Sequence, residues 1–116
     1  MSNLKPIASI EFIKGIIESV KPKIKISRSK DGKSGEAVFQ FKNPKTLSIE
    51  NISSINKMIM TDKEGELIST NINIKQINKG DSSIEVKYKW KSYIDFHRFI
   101  RFAENYCQSN FNGELN

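Results

Sequence analysis

The sequence is short of the residues that most protein chemistry draws on. Its 116 residues include one cysteine, Cys107, and one histidine, His97. A single cysteine forbids an internal disulfide and any redox pair. Two such ligands in total are too few for the clusters that hold zinc or iron. Cys107 falls on the apolar stripe of the helix described below and reads as a small core hydrophobe. His97 falls on the flank of that helix beside Arg98, where a solvated or half-buried surface role is expected. No apolar run approaches the roughly 20 residues that span a bilayer, and Met1 to Pro6 lacks the apolar core of a signal peptide. The expectation is a soluble protein made where it works, or one peripheral to a membrane.

Arginine is scarce too. Of 19 Lys+Arg, only Arg28, Arg98 and Arg101 are arginine, and 13 Asp+Glu leave a net charge of +6. That balance favours acidic partners, whether nucleic acid, anionic headgroups or an acidic protein surface, without choosing among them. Ile, Lys and Asn are heavily used, and their A/T-rich codons suggest a low-GC genome such as an organelle's or a streamlined bacterium's. The length suits one domain over 1–116 with a single core. Residues 1–8 and 110–116 are expected to fray.

The most legible stretch is Ser83 to Ser109. Ile84, Val86, Tyr88 and Trp90 alternate with Glu85, Lys87, Lys89 and Lys91, the period of a half-buried strand. Ser92 stands as an N-cap, with Asp95 favouring the helix start. Phe96, Phe99, Ile100, Ala103 and Cys107 then form a helical stripe, widened by Tyr93, Phe102 and Tyr106, with Arg98, Arg101 and Asn105 opposite. Burying the strand face against the helix stripe gives a helix lying on a sheet.

Upstream, Ser9 to Lys14 reads as a short strand and Ile16, Ile17 and Val20 as one helical turn before Pro22. Lys23 to Arg28 reads as a strand with Ile24 and Ile26 facing in. Asp31-Gly32 marks a hairpin to a strand over Glu36 to Phe41. Asn43-Pro44 ends that strand, and Lys45 to Asn56 reads as a loop. Met58 and Met60 begin a fourth strand. A turn at Lys63-Glu64-Gly65 leads to one long strand from Glu66 to Gln76, with Ile68, Ile72 and Ile74 on a face and a bulge or strand end at Ile77. Asn78-Lys79-Gly80-Asp81 makes the last turn. The class is α+β: an antiparallel sheet of about six strands joined by hairpins, packed on one long C-terminal helix.

No convergent catalytic set is present, so a non-enzyme without cofactor or metal is expected. Glu64 and Glu66 fall at a turn, where solvation explains them. Gly32 and Gly35 do not open a helix and make no phosphate cradle. The segment Gly35 to Phe41 superficially matches the core strand of an RNA-recognition sheet, but its stacking positions become Glu36 and Val38, which carry no rings. The comb Lys87, Lys89, Lys91 spaces ammonium groups about 6.8 Å apart. It suits tracking phosphates or acidic side chains, or simply a solvated face guarded against aggregation. A small basic nucleic-acid-binding domain remains the alternative function.

Two motifs resemble a known family. Arg28-Ser29-Lys30-Asp31-Gly32 is similar to the Arg-Ser-(Arg/Lys)-Asp-Gly turn of the photosystem II reaction-centre Psb28 family. Arg98-Phe99-Ile100-Arg101-Phe102-Ala103-Glu104-Asn105-Tyr106 is similar to its Arg-Phe-Met-Arg-Phe-Met-Glu-Arg-Tyr helix. The likeness runs from about Ile10 to Ser109 and includes the Glu64-Gly65-Glu66 hairpin. Ala103 and Asn105 replace a Met and an Arg, and Lys45 to Asn56 matches poorly. The resemblance implies a pigment-free accessory protein, peripheral on the cytoplasmic or stromal side of the thylakoid membrane in a plastid or cyanobacterium. It implies transient association with photosystem II assembly or repair intermediates, notably the larger inner-antenna chlorophyll protein and reaction-centre core loops. A role in chlorophyll supply has also been associated with the family.

The mode of contact expected is addition of a partner strand to an open sheet edge, assisted by basic side chains. Arg28, Lys30, Lys87, Lys89, Lys91, Arg98 and Arg101 are the candidate contact residues. For Arg28 the competing expectation is a helix-to-turn salt bridge. For Arg98 and Arg101 it is pairing within the helix to Asp95 and Glu104.

Overall fold

The computed structural model describes residues 8–49, 52–78 and 80–111. Its elements are β1 (Ser9–Ile13), β2 (Ile16–Ile17), β3 (Lys23–Arg28), β4 (Gly35–Lys42), α1 (Thr46–Ile49), a 3-10 turn (Ile52–Ser54), β5 (Met58–Asp62), β6 (Gly65–Ser69), β7 (Asn71–Asn78), β8 (Asp81–Trp90) and α2 (Tyr93–Phe111). The α+β class and the long C-terminal helix are as expected. The strands number eight, however, and form two four-stranded sheets, ordered β2-β1-β5-β6 and β3-β4-β8-β7. All pairings are antiparallel.

Two local expectations are corrected. Ile16 and Ile17 form a strand, not a helical turn, because Gly15 at φ +94° reverses the chain and lets Ile16 and Ile17 pair back onto Ile13 and Glu11. The long strand from Glu66 to Gln76 is broken at Thr70, and its halves belong to different sheets. The corner is fixed by the Ser69 hydroxyl, which donates to the Lys87 carbonyl at 2.5 Å and accepts from the Asn71 N–H at 3.2 Å. Side-chain parity changes across the corner. Leu67 faces the core in β6, Ile72 and Ile74 do so in β7, and Ile68 is left exposed. The register of β7 against β8 shifts between Gln76 and Asn78, the irregularity foreseen at Ile77.

The segment read as a loop contains α1, which a residue from another part of the chain organises. Glu18 is buried, and its carboxylate accepts the N–H groups of Val20, Lys45 and Thr46 at 2.8–2.9 Å and the Thr46 hydroxyl at 2.7 Å. Those bonds satisfy its charge and tie the β2–β3 connection to the start of α1. The expected frayed tails lie mostly outside the described residues. At their inner margins Ala8 is buried, and α2 continues to Phe111, with the Asn110 amide donating to the Ala8 carbonyl.

One cluster of buried side chains draws on both sheets and on α2. Phe12 and Phe41 join the sheets edge-to-face at 5.0 Å. Phe99 is the hub of the helix contact. It meets Phe39 edge-on at 6.1 Å and stacks on Tyr88 and Trp90, each at 5.4 Å. The helix starts as its sequence dictates: the Ser92 hydroxyl accepts the Asp95 N–H at 3.1 Å, and the Ser92 carbonyl accepts the Phe96 N–H at 2.9 Å. Cys107 is buried at the far end of the stripe, where burial raises its thiol pKa. Replacing Phe99 with alanine removes the hub's contacts to three rings at once. We expect a loss of about 3–5 kcal/mol in denaturant unfolding, and a loss below 1 kcal/mol would show that Phe99 is not the hub.

Candidate functional site

The seven basic residues singled out in the sequence fall into two groups. Arg98 and Arg101 are taken up by the β5–β6 hairpin. Arg98 donates from Nη1 and Nη2 to the two carboxylate oxygens of Asp62, both at 2.9 Å, and from Nη2 to the Gly65 carbonyl at 3.3 Å. The Asp62 side chain is 0% exposed and that of Arg98 16%. Arg101 grips Glu64 through Nε at 2.7 Å and Nη2 at 2.9 Å. The partners are therefore acids 36 and 37 residues away, not Asp95 and Glu104 on the same helix. Both are fork-to-fork pairs, for which the planar guanidinium is suited. The hairpin presents them because Gly65, at φ +129°, closes a turn in which the Glu64 N–H bonds back to Asp62 at 2.9 Å. Glu66, read with Glu64 as a solvated pair, pairs with Lys14.

The second group belongs to the other sheet and the turn that leaves it. A shallow cavity of about 390 Å³ is lined by Arg28, Gly35, Glu36, Lys89, Trp90 and Lys91 among others. Trp90 lies along it with its indole Nε1 buried and unbonded among the described residues. Gly35 is required there: a Cβ would sit 2.3 Å from the Ser27 carbonyl oxygen and 2.8 Å from the Trp90 ring. Lys30 is exposed in the turn beyond, and Lys87 lies further along β8 on the same outward face as Lys89.

The turn itself is internally bonded. The Asp31 carboxylate accepts the Ser29 hydroxyl at 2.6 Å and the Lys33 N–H at 2.9 Å, and these bonds hold its pKa below the ordinary aspartate value. Gly32 takes φ +77°, as the Asp-Gly signal requires. Arg28 donates to the Gly32 carbonyl at 2.8 Å and lies 3.9 Å above the Phe96 ring, so it joins turn to helix by stacking, not by a salt bridge. Tyr93 adds a second tie, its hydroxyl donating to the Asp31 carbonyl at 2.7 Å.

Beside this cavity runs β3, an edge strand bonded, among the described residues, only to β4. Its inward row is incompletely covered: Ile24 is buried but Ile26 is 37% exposed. Sequence alternation alone placed Ile26 inside, because it reports the facing of a side chain and not whether anything lies over it. Glu36 and Val38 stand on β4 where stacking rings would be needed, so the fold lends nothing to the nucleic-acid alternative. Among the described residues no three His, Cys, Asp or Glu are grouped to hold a metal ion, and no helix is long and apolar enough to cross a membrane.

Comparison with known proteins agrees with the motifs. The family model described as Psb28 protein matches residues 10–113. The photosystem II reaction center Psb28 protein of Synechococcus sp. (strain CC9902) is 43% identical over 110 residues, covering 95% of this chain and 84% of its own. That of Parasynechococcus marenigrum (strain WH8102) is 44% identical over 103 residues, covering 89% and 81%. That of Prochlorococcus marinus (strain MIT 9211) is 41% identical over 110 residues, covering 95% and 94%. The chain belongs to the Psb28 family.

The two ion pairs predict different sensitivities. Arg98→Ala leaves the buried Asp62 carboxylate unpaired and is expected to cost about 3–5 kcal/mol in denaturant unfolding. Arg101→Ala, at the surface, is expected to shift the midpoint far less. Equal losses would show that burial does not separate the two pairs.

The Glu64 pair also carries a pH signature. Its hydrogen bonds from Arg101, the largest cause, hold the Glu64 pKa below the ordinary glutamate value. A carboxyl whose folded pKa is lowered contributes stability above its unfolded pKa and loses it as pH falls through the folded value. The stability gap between the native protein and Glu64→Gln should therefore be constant near neutrality. It should narrow only as pH drops from about 4.3 downward; a gap that widens on acidification would contradict the pairing.

Proposed function

We propose that this protein is a non-catalytic accessory factor of photosystem II. It binds transiently to assembly or repair intermediates at the cytoplasmic or stromal face of the thylakoid membrane. The relatives named as photosystem II reaction center proteins support the setting. The observation that carries the mode of contact is the open β3 edge, with half-covered Ile26 beside the basic cavity.

An extended acidic segment of a core subunit adds to β3 as a fifth strand. Its main chain pairs with the free edge, and one of its apolar side chains covers Ile26. Its carboxylates meet Lys89 and Lys91 at the cavity, and Lys30 and Lys87 speed its arrival. Among the described residues none of these four ammonium groups has an ion-pair partner. Arg28, Arg98 and Arg101 hold the turn and helix that frame the edge. The candidate recipients are the larger inner-antenna chlorophyll protein and reaction-centre core loops. Contacts of this kind are screened by salt, which suits a partner that must leave.

Tagged protein incubated with detergent-solubilised thylakoids should retain photosystem II core subunits identifiable by mass spectrometry, with retention falling as ionic strength rises. Ile26→Asp, and separately Lys87→Glu with Lys89→Glu and Lys91→Glu, should each reduce retention at least tenfold while leaving the circular dichroism and melting temperature unchanged. Full retention by folded Ile26→Asp would remove β3 from the interface.

A further inference from the structure

Exposed lysines without an ion-pair partner occur in several parts of the described structure, and six of them share one sheet face. Around the β5–β6 hairpin three cations are paired: Arg98 with Asp62, Arg101 with Glu64 and Lys14 with Glu66. The outward face of the β3-β4-β8-β7 sheet is different. Cross-strand register lays its residues in rows: Lys75–Ser83–Lys42, Asn73–Glu85–Gln40–Lys23, Asn71–Lys87–Val38–Lys25, and Lys89–Glu36–Ser27. Six lysines and two glutamates thus share one surface. All six lysines are exposed, and none has an ion-pair or hydrogen-bond partner for its ammonium group among the described residues.

We propose that this sheet face lies flat against an anionic lipid bilayer. The geometry is two-dimensional: neighbours within a row stand about 4.8 Å apart across the strands, and successive rows about 6.8 Å apart along them. The molecule as a whole is a slab, 43 × 40 × 22 Å. A cavity of about 490 Å³ is lined by Lys23, Lys42 and Lys75 together with Asp81 and Glu85, so three ammonium groups outnumber two carboxylates where a phosphate headgroup would settle.

Away from Lys87 and Lys89, which stand at the end that borders the partner-strand cavity, the composition of the face argues against a protein occupant. Protein interfaces centre on aromatic, aliphatic or arginine anchors and are depleted in lysine. This face has no arginine and no aromatic residue, and its one apolar side chain, Val38, is half-buried. The large exposed hydrophobic residues, including Ile17, Ile52, Ile68 and Ile94, lie elsewhere. Lysines without anchors, spread over a plane, suit headgroups that offer charge and no pockets, and each adds about fivefold to partitioning onto an anionic leaflet.

The proposal takes the nearness of a membrane from the function above, but its test contains no protein partner. The purified chain is sedimented with vesicles of phosphatidylcholine alone, or of equal parts phosphatidylcholine and phosphatidylglycerol, over a range of salt. Binding is expected only to the mixed vesicles and should fall steeply with ionic strength. Lys23→Gln with Lys42→Gln and Lys75→Gln should weaken it on the order of a hundredfold. The charge-matched control, Lys33→Gln with Lys57→Gln and Lys63→Gln, should bind within a few-fold of the native chain. Equal losses in the two variants would overturn the proposal in favour of net charge alone. Failure to bind mixed vesicles, or retention on immobilised polyglutamate without vesicle binding, would overturn it in favour of an acidic polypeptide or no ligand. Failure here with photosystem capture intact removes the lipid face and leaves the strand-addition reading standing; the converse result removes only the latter.

Discussion

The pairing of Arg98 with Asp62 sets the terms for the rest of the molecule. An aspartate with no exposed side-chain surface is intolerable as a lone charge, so the helix must present a fork-shaped cation at that point. With Arg98 fixed, α2 is clamped to the β5–β6 hairpin, and Arg101 falls within reach of Glu64 one turn on. The same clamp holds Phe99, the next residue, against Phe39, Tyr88 and Trp90. Charge pairing and aromatic packing thus use adjacent positions on one helix. The acids drawn into the hairpin are no longer available to neutralise the other sheet, whose lysines stay unopposed.

Much of the fold was legible because it is written in local periods. The strand Lys23 to Arg28 and the alternation through Trp90 follow from period two, and the start of α2 from Ser92. What escaped was non-local. Glu18 gave no signal, since two of its bonding partners lie 27 and 28 residues away, at Lys45 and Thr46. The break at Thr70 was invisible because both flanking strands alternate, and a change of parity over one residue looks like continuation. The second sheet followed the same blindness: hairpin signals reveal which neighbours pair, but not when the chain leaves one sheet for another.

The site was legible in part for similar reasons. Exposure of the Lys87 to Lys91 comb followed from the strand period, and the Asp31-Gly32 turn from its own chemistry. The partners of Arg98 and Arg101 did not, because helix spacing makes Asp95 and Glu104 look sufficient while the hairpin acids meet those arginines only in space. Arg28 was foreseen as a link between turn and helix, but its ring contact with Phe96 depends on how the helix is set down. The family motifs are therefore made mostly of residues that hold the helix and turn in place, with Lys30 the one lysine among them.

The order β3-β4-β8-β7 has one more consequence. Strand β8 lies between β4 and β7, yet it is the last strand to be synthesised. As the polypeptide leaves a ribosome, the β3–β4 ribbon has no neighbour on its inner border until residue 90 emerges, and Phe39 has no Phe99 to meet until α2 follows. Nascent chains of this protein must therefore carry an open, greasy ribbon through most of their elongation, with closure arriving in a single late step.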